Sequence, residues 1–571
     1  MILRSLPLLL LASPALLAAP VPATSATVLV VDQVDDLIRR GRTELEAGKA
    51  EAALLLFEEA AAKDSGLRTR VWILRARMNA GFLNDILGEI DSLAEAGEGV
   101  ETNYLYGMAF AIKAQQAISS GITDGTVGMQ MMDAQTYLGL ALEEAGDRFS
   151  DGYPVMATIA WMNQDLDAAI AASDKAIGFY PKGAAVLVQR GKIQLSRFVA
   201  NQADEEKAEA VAAMGADAVA SFDKALAVMG TKKDDGRANE RADAWKQLGD
   251  MQAWLGDQAA SAQAYAHSMS WDPTIHDYGS LWGRLGERFI PTLTSAKDEF
   301  AQRWGKRTSS DATLLWYLGY ARLMQNDADN YELGEQELIA SVEKFPTYLN
   351  AYYYVCQLRA KRFDYMGAAD IMVEFWERDR ANVVATLSND LPTAREYLDY
   401  IVGQCVNEGR LLTAATLSEM LGHSDLKEGH LDFSYKGLFL RDHADLLLRG
   451  GEHEWGDEEL MAFYEESLGA YGKALELDPE NPNYQNDLAV VLHYNLRREY
   501  DRALELYDAA QENAKRLMED ETVPLSRKEQ FISIALRDSG NNARMLRRQL
   551  KKWEEDAEKE RKEKEGEDAG A

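Results

Sequence analysis

Cysteine is almost missing from this chain, with two in 571 residues, and histidine is scarce at seven. The first shortage excludes a disulfide framework, and the second leaves little for a metal cage. Basic residues are outnumbered, 61 Lys plus Arg against 93 Asp plus Glu, which gives a net charge of −32. A surface of that sign repels phosphate backbones and anionic lipid headgroups, so nucleic acid is excluded as an expected partner. Long apolar runs are lacking too. Catalytic and phosphate-binding signatures are missing as well: there is no G-x-S-x-G elbow and no His-Glu-x-x-His. The best glycine-rich stretch, Gly178 to Gly183 followed by Ala184, lacks the lysine and hydroxyl of a phosphate cradle. What is present is a composition that is 47% hydrophobic, enough to exclude a wholly disordered chain. The length suits several globular units or one long repeating array.

The one apolar run near the start, Leu6 to Leu17, follows Arg4 and is broken by Pro7 and Pro14. It is too short for the roughly 30 Å of hydrocarbon, which needs about 20 residues. With the small residues Thr24-Ser25-Ala26 after it, the order is that of a secretory signal peptide over residues 1–26, cleaved after Ala26, with Ala23 the second choice. An uncleaved anchor is the alternative. The expectation is an exported protein, periplasmic or secreted, with no integral membrane segment in the mature chain. At the other end, Arg544 to Asp568 holds nine basic and nine acidic residues, and Trp553 is the one large apolar residue after Leu550. Residues 516–550 are expected as C-terminal capping helices, and 551–571 as a charged, disordered tail.

Between these ends a pattern repeats. Trp245 is followed by Leu248-Gly249, then Ser261, Tyr265 and Ser268, and closes at Asp272-Pro273; Tyr153 opens a second copy through Ala157, Ala169, Ser173 and Ala176 to Pro181. The opener precedes the closing proline by 28 residues in both. The second half recurs as Ala53/Phe57/Ala60, Ala218/Phe222/Ala225, Ser467/Tyr471/Ala474 and Ala503/Tyr507/Ala510. Such spacing puts three residues on one helical face, where small residues admit a second helix and the aromatic fills the gap. Weaker copies place Gly41 before Ala53, Ala76 before Gly88, Cys356 before Ala368 and Gly403 before Ala415, each by twelve. Leu488-Ala489 and Gly319 stand further from Ala503 and Gly334 than that, which predicts lengthened turns.

These residues resemble the tetratricopeptide repeat (TPR) family, whose pattern is W-x2-L-G-x2-Y, then A-x3-F, then P, in units of about 34 residues. The resemblance covers residues 27–515 as degenerate units with insertions near 119–128, 198–215 and 274–310. It implies an all-α solenoid, a right-handed superhelix of antiparallel helix pairs. In that family the first helix of each pair lines a groove, so the resemblance implies Lys246, Asp250, Tyr353, Gln357, Asn486 and His493 as candidate groove positions. The Gly121, Gly125, Gly128 segment is expected as a loop, and the other two insertions as extra or extended helices.

Hidden chemistry has three candidate places. His423, His430, His443 and His453 cluster in sequence with Asp425, Asp432, Asp442 and Asp445, yet no histidine pair has the i, i+3 or i, i+4 spacing of two ligands on one helical face. Asp327 to Leu338 begins like a calcium loop but has Glu332 for the turn glycine and Leu338 for the bidentate glutamate. Cys356 and Cys405 are expected as free thiols, with pairing the alternative. No catalytic residue, metal or cofactor is expected. The sequence therefore predicts an exported, non-enzymatic scaffold for a protein or peptide that is basic or neutral. The alternative is a periplasmic small-molecule or transport accessory protein that uses the superhelix pore.

Overall fold

The structure, a computed structural model, describes residues 28–568 apart from 47–48, 83, 96–98, 123, 204–205, 207, 234, 306–309, 426 and 452. The signal-peptide expectation at 1–26 lies outside the described residues. The chain divides into two units, residues 1–307 and 308–571. Both are helical, and no strand occurs among the described residues.

Unit 1 is a succession of helix pairs: α1 (Val28–Glu46) and α2 (Ala50–Lys63), α3 (Leu67–Asn79) and α4 (Ile86–Glu95), α5 (Val100–Ser119) and α6 (Gly125–Ala145). It continues with α7 (Gly152–Met162) and α8 (Leu166–Phe179), α9 (Ala184–Asn201) and α10 (Ala208–Met229), α11 (Ala238–Trp254) and α12 (Gln258–Trp271). Two extra helices, α13 (Tyr278–Leu285) and α14 (Phe289–Trp304), occupy the third expected insertion. In unit 2, α15 (Ser310–Gln325) pairs with α16 (Tyr331–Lys344), and α17 (Ala351–Lys361) with α18 (Tyr365–Arg378). A short helix that the spacing did not predict, α19 (Arg380–Asn389), precedes α20 (Leu391–Asn407) and α21 (Leu411–Ser424). Then come α22 (Gly429–Gly450) with α23 (Glu458–Leu477), α24 (Pro482–Val490) with α25 (Tyr500–Glu519), and finally α26 (Leu525–Arg527) and α27 (Ser533–Asp568).

The repeated triads form the interface of each pair. Ala53, Phe57, Ala60, Ala218, Phe222, Ala225, Ser467, Tyr471, Ala474, Ala503, Tyr507 and Ala510 are all buried. A glycine on the first helix faces the aromatic on the second: Gly41 meets the Phe57 ring, and a Cβ placed on Gly191 would stand 2.6 Å from Phe222. On Gly249 it would stand 3.0 Å from Tyr265, and on Gly437 2.8 Å from Tyr471. Any side chain there would push the helices apart, which is why the glycine is tolerated inside a helix despite its entropic cost of about 1 kcal/mol. Where the first small residue is serine, its hydroxyl ties the helices together: Ser261 Oγ donates to Gly249 O at 2.9 Å, and Ser467 Oγ to Gly437 O at 2.6 Å.

The turns inside the pairs share one device. At α7–α8, α11–α12 and α17–α18 a residue in the left-handed region, Gln164, Gly256 or Phe363, ends the first helix. The next residue is always aspartate, and its N–H reaches back along the first helix, as from Asp257 to Gln252 O at 3.0 Å and from Asp364 to Arg359 O at 2.9 Å. That is a Schellman end. The same aspartates then cap the second helix, Asp165 accepting from Ala168 N, Asp257 from Ala260 N and Asp364 from Gly367 N.

Three expectations need correction. The loop expected across Gly121–Gly128 is only a short turn, because Asp124 accepts from Thr126 N at 2.9 Å and starts α6 at Gly125. Gly403 is not a packing site: it faces solvent, and Ala394, Leu398, Ile401 and Cys405 form the inward face of α20. The tail expected to be disordered is helical through Asp568, supported by i, i+4 ion pairs such as Lys562 with Glu558 at 2.8 Å. The lengthened turns take definite forms. The extra residues after Leu488-Ala489 continue α24 as a π-helical turn, Val491–Leu496, and those after Gly319 form a 3-10 turn, Ala328–Asn330.

Candidate functional site

The six expected groove residues do not form one open surface. In unit 1, Lys246 is half-buried, and Asp250 accepts a hydrogen bond from the Tyr265 hydroxyl at 2.6 Å and pairs with Arg284. Lys246 stands near His276, whose imidazole is pushed down to about 3, chiefly by burial and secondarily by that ammonium. His276 is thus neutral and hydrogen-bonded to Ser268 Oγ at 2.9 Å, inside the hairpin rather than presented to a ligand.

In unit 2, Tyr353, Gln357, Asn486 and His493 are buried, which corrects the expectation that they face a groove. Tyr353 donates its hydroxyl to Asp390 at 3.2 Å, under the start of α20, and Val383 and Leu387 of α19 belong to the same core. Asn486 and His493 are covered by α27: Asn542 Nδ2 donates to Asn486 Oδ1 at 3.4 Å, and His493 Nε2 lies 3.3 Å from Gln549 Oε1. The final helix therefore occupies the face to which the repeat pattern assigned ligand contact.

The histidine-rich span disperses in space. His423 packs against Trp376 and Phe433, His430 lies 2.8 Å from the Tyr484 hydroxyl, His443 meets the Phe463 ring edge-on, and His453 faces Asp457. Its aspartates are structural as well: Arg395 binds Asp425 at 2.7 Å and Asp432 at 2.7 Å, while Asp425 also accepts from the N–H groups of Lys427 and Glu428. Among the described residues no group of three His, Cys, Asp or Glu is placed to hold a metal ion. Asp327 of the calcium-like segment is used as a cap, accepting from Asp329 N. Cys356 and Cys405 are buried free thiols, pushed up by burial to about 12 and about 11, so both are protonated and unreactive.

Two exposed features of unit 2 were not anticipated. One is a cleft of about 300 Å³ with Ile339, Val342 and Ile371 as apolar lining and Arg359, Glu374 and Arg378 as charged lining. Most of its charges are already engaged: the Tyr352 hydroxyl donates to Glu374 at 3.1 Å, Arg378 pairs with Glu374, Arg359 with Glu335 and the lining Asp370 with Arg410, which leaves Glu343. The other is an aromatic ridge. Phe363 is 79% exposed, and Tyr400 52% exposed; the Tyr365 ring lies between them, edge-on to both, at 6.3 Å from Phe363 and 4.9 Å from Tyr400. Phe363 has φ +63°, at the helix end where α11 and α20 carry Gly256 and Gly409. A left-handed conformation costs a non-glycine residue about 1–2 kcal/mol, and so exposed a ring recovers little of it by burial. Sequence periodicity could not reveal this position because it lies between two helices, although a bulky residue directly before a capping aspartate was a visible anomaly.

No protein-family model matches the chain, and no curated protein matches it. Solved structures similar to it include the TPR domain of P58(IPK), at 16% identity over 78% of this chain and 99% of that chain, with a TM-score of 0.18. The TPR protein TTC0263 of Thermus thermophilus is 17% identical over 46% of this chain and 99% of that chain, TM-score 0.19. Yeast Tom70 is 15% identical over 78% and 96%, TM-score 0.19. Scores this low carry over neither arrangement nor function. The TPR-like character of the chain rests on its own hairpins: glycine against aromatic, small residues on either side, and capped turns between. No described helix is long and apolar enough to cross a membrane.

Proposed function

We propose that the chain is an exported, non-enzymatic scaffold that binds a protein or peptide outside the cytoplasm. The observation that supports this most directly is the ridge of exposed Phe363 and Tyr400 with half-buried Tyr365 between them, its Phe363 held at a conformational cost in a turn where α11 and α20 carry glycine and α7 carries the polar Gln164. Exposed rings such as Phe363 are typical of contact surfaces, where aromatic residues carry much of the binding energy. The net charge of −32 favours a partner that is basic or neutral, in an association that weakens with salt. Export rests on the signal-like segment at 1–26.

The test is to place a photoreactive phenylalanine at position 363 of the tagged full chain, crosslink in the native envelope fraction, and repeat with Phe363→Gly as competitor. The expected result is one dominant adduct that Phe363→Gly fails to suppress and the wild-type chain does. Equal suppression by both would overturn the reading. Stabilisation of the chain by small metabolites, unaffected by Phe363→Gly, would favour the transport-accessory alternative.

A further inference from the structure

The outer face of α6 in unit 1 combines apolar exposure with a single sign of charge. Met129 is 61% exposed, Met132 67% and Leu140 50%, and all three share an arc of the helix with Thr136. Their spacing, 129, 132, 136 and 140, is that of one helical face. Asp133 and Glu144, both exposed, lie along one edge of the stripe and Glu143, also exposed, at its C-terminal end, and none of the three forms an ion pair among the described residues. No Lys, Arg or His occurs between Lys113 and Arg148, a stretch that holds five acidic residues, and Arg148 itself is engaged by Glu101. From Met129 to Glu144 the stripe runs about 22 Å at 1.5 Å per residue.

Resting on the scaffold reading above, we propose that this face is a docking site for a basic amphipathic helix of a partner protein. The charge pattern selects the occupant. Lysine or arginine along one edge of an apolar stripe on the partner would meet the unpaired carboxylates of Asp133 and Glu144, and one at its end that of Glu143, while the unbranched thioethers of Met129 and Met132 adapt to the apolar side chains beside them. A second copy of this chain would set acid against acid, and anionic lipid would be repelled. An extended peptide would leave its backbone groups without partners, because no sheet edge is available among the described residues to receive them, whereas a helix satisfies its own and packs ridge into groove.

The experiment uses the full chain and three 18-residue peptides: a Leu/Lys helix with leucines at i, i+3, i+4 and i+7, its Leu/Glu counterpart, and a Leu/Lys scramble without helical period. The Leu/Lys helix is expected to bind. Its affinity should fall at least tenfold in Met129→Ser/Met132→Ser/Leu140→Ser and in Asp133→Lys/Glu143→Lys/Glu144→Lys, with circular dichroism confirming that both variants are folded. Leu55→Ser, an exposed leucine on α2, should leave it unchanged, and the other two peptides should bind at least tenfold more weakly. The proposal is overturned by no binding, by equal binding to wild type and triple variants, by binding of phosphatidylcholine vesicles that the serine variant abolishes, or by stripe-dependent dimerisation in sedimentation. Any of these leaves the adduct at position 363 intact, whereas loss of that adduct with α6 binding retained would count against the broader reading alone.

Discussion

Two hairpins, α11–α12 in unit 1 and α17–α18 in unit 2, solve the same packing problem with different side chains. The first puts Gly249 against Tyr265, with Ser268 one turn on; the second puts Cys356 at the glycine's position, and Met372 and Phe375 at those of the tyrosine and serine. All are buried. A larger residue on one helix is matched by a more slender, flexible one opposite, so what the repeat holds constant is the space between helices rather than the identity of its occupants. Their turns differ in another way. Both use a Schellman end and a capping aspartate, but Gly256 is free of conformational cost where Phe363 is not. The first difference concerns the core and is compensated. The second concerns the surface and is not, and it is this uncompensated cost on which the partner contact proposed for Phe363 rests.

The strongest way to break this comparison is Gly249→Val. Its side chain would begin 3.0 Å from the Tyr265 ring, and the expected loss is about 3 kcal/mol, measured by urea unfolding. Transplanting the solution of unit 2, Gly249→Cys with Tyr265→Met, should recover stability to within about 1 kcal/mol of wild type. A double variant no better than Gly249→Val would show that the two hairpins are not equivalent. A smaller effect separates the turns: Gly256→Phe should cost about 1–2 kcal/mol, and Phe363→Gly should gain up to about 1 kcal/mol. Opposite signs are required, and a loss of stability in Phe363→Gly would mean that the ring supports the fold.

The smallest expected effect is on pH, where the units should respond in opposite directions. In unit 1, His276 is held at about 3 against an ordinary 6.5, by burial first and Lys246 second. The unfolded chain takes up that proton first, so stability falls as pH drops from about 6.5 towards 3. In unit 2, burial raises the Asp487 carboxyl to about 6 against an ordinary 3.8, more than Arg441 lowers it. Here the folded state binds the proton first, so stability rises as pH drops from about 6 to 4. Both side chains are half-buried, and solvent screening keeps each effect modest. Melting temperatures of His276→Gln and Asp487→Asn from pH 4 to 7 should lose opposite slopes relative to wild type.

Most of the fold was legible because its determinants are local and periodic. Ala218/Phe222/Ala225 and its companions announce a buried face by spacing alone, and the extra residues between Leu488 and Ala503 announce a longer turn, though whether it becomes a π-helical turn depends on tertiary packing. The candidate site was far less legible. Tyr353, Gln357, Asn486 and His493 occupy first-helix positions that would be open in an isolated pair, but α19, α20 and α27 cover them, and periodicity does not say where a later helix will lie. Phe363 lies in a turn, outside any periodic pattern, and the α6 stripe was missed for the opposite reason. Exposed apolar residues on a helix look like core until a structure shows which side has no neighbour.

The charged end of α27 differs in kind from everything before it. Trp553 rests on Tyr500 at 5.1 Å; the side chains described after it, through residue 562, are exposed, and pairs such as Glu558 with Lys562 brace the turns. The nine residues 554–562 at 1.5 Å each make a rod of about 14 Å whose stiffness comes from neighbouring charges instead of packing. Its mechanical character is therefore set by the solvent: firm in dilute buffer, yielding as added ions weaken each brace.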